Sequence, residues 1–153
     1  MIIRKANKTD KAHVQILMDE LNLYRKDIFS SDNQEFHKRI NPYSLLKDID
    51  FDESLIFVAT NDSDQIIGFI QGSIEERKNH KLNKLGYIDE FYVQKESRGK
   101  GAAKNLFLEL ESEFKKNCCN HMTTHTDFEN ELSQQFYLHV GMNKATIEFW
   151  KKL

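Results

Sequence analysis

The chain is poor in cysteine: only Cys118 and Cys119 occur, and they are neighbours. Adjacent residues rarely reach disulfide geometry without strain, and no third cysteine is present to pair with. Reduced thiols are therefore expected. Two thiols without a CxxC spacing also make no zinc framework. The histidines His13, His37, His80, His121, His125 and His139 form no HExxH or comparable pattern. His121 and His125 would share one face of a strand, but a third ligand is missing, so no metal is expected. Long apolar runs are absent too. The longest, Leu55-Ile56-Phe57-Val58-Ala59, is far too short to cross a bilayer. Met1 to Ala6 lacks the apolar stretch of a secretory signal, so the expected location is cytoplasmic. An excess of either charge is lacking: 22 Lys+Arg stand against 24 Asp+Glu, a net charge of −2. That balance argues against a nucleic-acid partner. Repeats, low-complexity tracts and linkers are missing as well, and residues 1–153 read as a single domain.

What is present suits a folded protein, with 39% hydrophobic and 11% aromatic residues. Ile2–Lys5 reads as a strand. Thr9 is expected to cap a helix over about 10–24, with Val14, Leu17, Met18 and Leu21 at helical spacing. Asp27 to Asn41 is polar and poorly periodic, a loop or a mobile helical turn. Asn41-Pro42 opens a short helix carrying Tyr43, Leu45, Leu46 and Ile49. Leu55–Thr60 and Ile66–Gln71 flank Asn61-Asp62-Ser63-Asp64, a strong hairpin signal. A strand follows over about 86–93, then an amphipathic helix over about 101–116 with Ala102, Leu106, Leu110 and Phe114 on its apolar stripe. A strand over His121–Thr126, a helix over Glu131–His139 and a last strand over Thr146–Lys151 complete the order β-α-α-β-β-β-α-β-α-β. This is a mixed α/β or α+β fold, with antiparallel hairpins first and a strand–helix–strand unit after them.

The segment from Tyr87 to Lys104 carries the chemistry. It is a strand, a turn holding Gly99 and Gly101, and the first turn of a helix. Free N–H groups at a helix start, with its dipole, form a ready anion site. Two glycines let the backbone approach a large anion such as a pyrophosphate. Arg98, Lys100 and Lys104 add positive charge. A solvated glycine turn is the plain alternative. A dinucleotide fingerprint would require GxGxxG after the first strand of a βαβ unit, whereas three strands precede this loop. The phosphate-binding pattern GxxxxGK[ST] is absent.

Arg98-Gly99-Lys100-Gly101-Ala102-Ala103 matches the motif Q/R-x-x-G-x-G/A, and the segment resembles the acetyl-CoA-binding motif of the GCN5-related N-acetyltransferases. The preceding Phe91-Tyr92-Val93 is similar to the end of that family's fourth strand. Asn130 with Phe136-Tyr137-Leu138-His139-Val140-Gly141-Met142 resembles its N…FYxxxGF block, in the correct order and spacing. The resemblance runs in register over nearly the whole chain. It implies a mixed, mostly antiparallel central sheet flanked by helices and split between the fourth and fifth strands. The split would admit the pantetheine arm of acetyl-CoA, the co-substrate. By the same resemblance Phe91, Tyr92 and Val93 would contact that arm. Amides from Gly99 through Lys100, Gly101, Ala102 and Ala103 to Lys104 would cradle the pyrophosphate, with Arg98 beside them. Asn130 would hydrogen-bond the arm.

The implied reaction is direct acetyl transfer to an amine. Such a reaction needs a proton acceptor, an oxyanion donor and a proton for the leaving thiolate. The resemblance assigns the last role to Tyr137, for which packing is the alternative, and the oxyanion donor to an N–H near Phe91. Asp89 stands where small-amine members of the family carry an acid, and is the expected base or amine anchor. Glu90 is the reserve for that role; strand alternation would send it to the opposite face, where it otherwise reads as a solvated edge charge. The family's aminoglycoside 6′-N-acetyltransferases look most alike, through Met122–Gln134. They tend, however, to carry an acid where this chain has His125, another near Thr146, and a tryptophan near Asn22–Tyr24. Asp48, Asp50, Asp52 and Glu53 read as a solvated acidic loop. The expected acceptor is a small-molecule amine: an aminoglycoside, polyamine, amino acid or amino sugar. The alternatives are a protein N-terminus or lysine, or a non-catalytic acyl-CoA-binding domain. The family often forms homodimers, and Phe149 and Trp150 on the last strand would join such an interface or fill the core.

Overall fold

Short β-branched and aromatic stretches joined by tight turns assemble into a five-stranded sheet, order β1-β2-β3-β4-β5. The computed structural model describes residues 1–30, 50–51, 53–78, 83–149 and 151. Strands β1 (Ile2–Lys5), β2 (Leu55–Thr60), β3 (Ile66–Glu76) and β4 (Lys84–Val93) pair antiparallel in sequence order. The β2–β3 turn is tied by Asn61, whose side-chain oxygen accepts from the N–H groups of Ser63 and Gln65, each at 3.0 Å. β5 (His121–Thr123) runs parallel to β4, which requires a crossover; helix α2 (Ala102–Lys116) supplies it.

Alternation along the strands divides the core. Ile56 and Val58 of β2 and Phe69 of β3 pack under helix α1 (Lys11–Ile28) with Val14, Leu17, Met18 and Leu21. Phe57, Ala59 and Ile70 face the other way, against Ala102, Leu106, Phe107, Leu110 and Phe114 of α2. A third helix, α3 (Glu131–His139), brings Phe136 and Tyr137 against the α2 side. Among the described residues no helix is long and apolar enough to cross a membrane. The expected helix after Pro42 lies outside the described residues, as do Asp48, Asp52 and Trp150.

Several expectations need correction. Asn7, not Thr9, is the cap: its side chain accepts from Thr9 N at 2.8 Å over a short 3₁₀ turn, Lys8–Asp10, and α1 begins at Lys11. α1 also continues to Ile28, through the start of the expected loop. β5 stops at Thr123 rather than Thr126, because β4 pairs with it only from Leu85 to Tyr87 and the two then part. The expected last strand does not form: residues 143–149 carry no regular structure, with Ile147 82% and Phe149 90% exposed. A strand needs a neighbour's ladder, and among the described residues this segment pairs with none.

The reciprocal cap supplies a test of stability. Asp10 is 5% exposed and accepts from Arg4 at 2.6 and 2.9 Å and from Asn7 N at 2.9 Å. The Arg4 hydrogen bonds hold its carboxyl below the usual range, against an opposing effect of burial and with help from the Asn7 N–H. A lowered folded-state pKa means the stabilisation is present above the ordinary aspartate range and is lost as pH falls through the lowered value. Asp10→Asn should therefore cost about 1.5–3 kcal/mol at neutral pH, the worth of hydrogen bonds to a charged group. Urea melts at neutral and strongly acidic pH check this, the gap between variant and wild type closing in acid.

Candidate active site

A β-bulge sets the geometry. Gln71 stands opposite Glu90 but Gly72 opposite Ile88, so Asp89 has no partner across β3. Such an extra residue reverses the facing of everything after it. Ile88 before the bulge and Phe91 and Val93 after it all join the α2 core. Tyr92 packs on the α1 core, and Glu90 accepts from Arg25 of α1 at 2.7 Å. Asp89 accepts from Ser73 Oγ at 3.1 Å. Ser73 lies opposite Tyr87 and follows Gly72, where a side chain would strike Phe114 of α2. Ser73 and Asp89 therefore also face α1. Asp89 and Glu90 share one face, against the expected opposition. Nor is Glu90 a solvated edge charge, being 4% exposed and ion-paired with Arg25.

Beyond Tyr87 the β5 side of β4 has no strand neighbour among the described residues. A cleft of ≈ 2350 Å³ opens there, walled by parts of α1, β4, β5, α3 and residues 124–128 and 140–149. Side chains bridge its closed end: Thr124 Oγ1 donates to the Ile88 carbonyl at 3.1 Å, and Tyr87 OH is hydrogen-bonded to His125 Nδ1. Asp89 and Tyr137 both line the cleft and Glu90 does not. Burial raises the Asp89 carboxyl above the usual range; the Ser73 hydrogen bond opposes this and the Glu90 charge adds to it. Burial likewise pushes the Tyr137 hydroxyl up, opposed by a hydrogen bond with Thr124 and by the charge of Arg25. Phe91 packs edge-on to Phe136, ring centres 5.3 Å apart.

The glycine loop sits at the α2 N-terminus. Gly99 has φ +75° and Gly101 φ +87°, left-handed conformations that L side chains adopt only with strain. Among the described residues no side chain caps the helix at Gly101, so the first-turn amides of Ala102, Ala103 and Lys104 are left for an anion. Ala102 is buried, which restricts it to a small side chain, and Lys104 is exposed beside the amides. Arg98 turns back instead. Its Nε donates to the Val93 carbonyl at 2.9 Å, and its guanidinium carbon lies 5.2 Å from the Tyr24 ring centre and 5.7 Å from that of Tyr92. Lys100 Nζ donates to the Glu96 carbonyl at 3.0 Å. Asn130 caps α3, its side-chain oxygen accepting from Ser133 N at 3.2 Å. Sequence reasoning missed Tyr87, Ser73, Thr124 and Arg25. Tyr87 was accessible, since two-residue spacing puts it on the face of Asp89; the others depend on tertiary pairing.

An uncapped helix start with two left-handed glycines, opening beside a split sheet, accords with one family match. Residues 21–142 match the model of the Acetyltransferase (GNAT) family. The chain belongs to that family. It is thus an acetyltransferase by membership, and its five-stranded sheet parting between β4 and β5 is the family fold. Among solved structures it is similar to AAC(6′)-Iy in complex with the bisubstrate analogue CoA-S-monomethyl-acetylneamine, at 23% identity, TM-score 0.72, covering 99% of this chain and 97% of that one. It is similar to the BH1408 protein from Bacillus halodurans, at 22% identity, TM-score 0.74 and full coverage of both chains. The ribosomal-protein-alanine N-acetyltransferase from Brucella melitensis biovar Abortus 2308 matches at 18% identity, TM-score 0.70, again with full coverage of both. At these identities the likeness establishes the fold. No curated protein matches the sequence.

Proposed function

We propose that this GNAT acetyltransferase moves the acetyl group of acetyl-CoA directly to a primary amine of a small molecule. The observation that carries the reading is the juxtaposition of the split after Tyr87 with the uncapped, two-glycine start of α2. An extended pantetheine chain fits a strand edge that lacks a neighbour, and phosphates fit free amides at a helix start. The AAC(6′)-Iy complexes with CoA and with a CoA–aminoglycoside analogue support the co-substrate and the small-molecule acceptor. Phe91, Tyr92 and Val93 bound the arm, residues 99–104 receive the pyrophosphate, Arg98 holds the loop to β4, and Asn130 lies beside the arm.

In the proposed reaction Asp89 accepts a proton from the acceptor ammonium and passes it to solvent. The amine attacks the thioester carbonyl, an amide of β4 near Phe91 steadies the oxyanion, Tyr137 donates its proton to the departing sulfur, and the proton that the nitrogen sheds as the amide forms returns to Tyr137. A carboxyl raised by burial accepts that proton only above its raised pKa. The acid limb of kcat/KM should therefore lie above the usual carboxylate range. Asp89→Asn should remove that limb and lower kcat at least about tenfold; a pH–rate profile of both proteins checks it. A cytoplasmic location, and a homodimer using the exposed Ile147 and Phe149, complete the proposal. The test of the whole is CoA-thiol release from acetyl-CoA against aminoglycosides, polyamines, amino acids, amino sugars and amine-terminated peptides, with product mass. A gain of one acetyl on small amines supports the reading, and acetylation of peptides alone overturns the small-molecule acceptor.

A further inference from the structure

Beside Asp89 the cleft wall holds a second polar group that the proposed chemistry does not use. Tyr87 is the last β4 residue paired to β5, and His125 lies two residues past the end of β5. Their hydrogen bond, Tyr87 OH to His125 Nδ1, spans the split at its closed end, with ring centres 5.6 Å apart and planes at 50°. Both side chains line the cleft, and Tyr87 shares the face of Asp89.

The direction of this bond decides what the wall presents. Burial first, then the carboxylates Asp89, Glu75 and Glu90, push the Tyr87 hydroxyl up, so it keeps a proton that it can donate to Nδ1. A neutral imidazole accepting at Nδ1 carries its own proton on Nε2, at the far edge of the ring. His125 is exposed on the cleft, and among the described residues its Nε2 has no hydrogen-bond partner. With Tyr87 as the donor, the wall offers a carboxylate acceptor at Asp89 and an N–H donor at His125. An amine carrying a nearby oxygen satisfies both. A polyamine, whose remaining amines are protonated at neutral pH, brings only N–H donors there and leaves the imidazole donor unmatched.

We propose that the Tyr87–His125 pair is a specificity element of the acceptor site, selecting primary amines with a neighbouring hydroxyl, ether or carbonyl oxygen, such as amino alcohols and amino sugars, over polyamines. The proposal rests on the acetyl-transfer reading and narrows its acceptor class. Tyr87 acts as a positioning residue, fixing the tautomer and plane of the ring.

The matched probes are bis(2-aminoethyl) ether and 1,5-diaminopentane, equal in length and number of amines and differing by one oxygen. Wild type should acetylate the ether with a kcat/KM about tenfold higher, the scale of one net hydrogen bond at a solvent-exposed group. His125→Phe should bring the ratio to about one with acetyl-CoA affinity unchanged, and His125→Gln, which restores a donor, should recover part of it. Tyr87→Phe should lower the ratio by freeing the ring. In a long-range ¹H–¹⁵N spectrum of the wild type, His125 should show the Nε2–H tautomer. An unchanged ratio in His125→Phe, a ratio of one in wild type, or an Nδ1–H tautomer overturns the proposal while leaving acetyl transfer standing. Failure to release CoA thiol with every amine overturns the transfer reading itself, and this proposal with it.

Discussion

Gly101→Asp should weaken acetyl-CoA binding a hundredfold or more while leaving the protein folded. Gly101 caps α2 at φ +87°, and a Cβ there would find only Asn105 Nδ2 at 3.9 Å and Met1 Cε at 4.0 Å. Space is therefore not the obstacle. Backbone strain for an L residue is about 1–2 kcal/mol, and asparagine and aspartate tolerate this region best. The decisive change is electrostatic. An aspartate at a helix cap accepts the N–H groups of the first turn through its own oxygens, the donors proposed for the pyrophosphate. It also places a negative charge beside a polyanion. Two unit charges about 4 Å apart near a surface repel by about 4 kcal/mol at an effective dielectric of about 20, so even half of that would weaken binding roughly thirtyfold. Gly101→Asn separates the causes, since it carries the same strain without the charge. Calorimetric titration with acetyl-CoA should show a loss of about tenfold or less for Asn and of a hundredfold or more for Asp. Equal affinities for the two variants would mean that the pyrophosphate lies elsewhere.

How much of this was legible without coordinates varies residue by residue. The stripe Ala102, Leu106, Leu110 and Phe114 and the alternation of β2 announce themselves because burial acts on a fixed local period, and all of those helix positions are buried. The glycine loop was legible for a similar reason: left-handed turns demand glycine, so Gly99 and Gly101 mark backbone shape directly. The bulge at Asp89 has no such mark. It is a mismatch of count between β3 and β4, visible only when both strands are laid side by side. Alternation reasoning therefore placed Glu90 on the wrong face and overlooked its ion pair with Arg25, which is 65 residues distant in the chain. The strand expected over Thr146–Lys151 failed for a related cause: apolar alternation states a capacity to pair, while pairing itself needs a free neighbour. Arg98 shows the limit on charged residues. Its charge was evident, but its stacking between Tyr24 and Tyr92 depends on a helix far away in the chain.

Tyr137→Phe carries the largest expected effect on turnover. The Tyr137 side chain lies on the cleft wall, with its hydroxyl near Thr124. Thr124 Oγ1 donates to the Ile88 carbonyl at the closed end of the split. Burial raises the phenol, so it remains protonated across the neutral range and can donate to a departing sulfur. The same shift limits its power as an acid. A thiol has a pKa of about 8.5, below that of even an ordinary phenol at about 10. Full proton transfer to the thiolate is thus uphill, and the benefit falls at the lower end of the general-acid range, about a hundredfold in kcat. KM for acetyl-CoA should change little, because the ground-state thioester sulfur is a poor hydrogen-bond acceptor. Any alkaline limb of the profile due to Tyr137 should lie above the ordinary tyrosine range and vanish in the variant. An acyl donor with a more acidic thiol should recover much of the lost rate, since a better leaving group needs less help. The ring is kept in the variant, so thermal melts should show the fold changed by no more than about 1 kcal/mol, the scale of one hydroxyl. A kcat within twofold of wild type would reduce Tyr137 to a ring packed against Phe136.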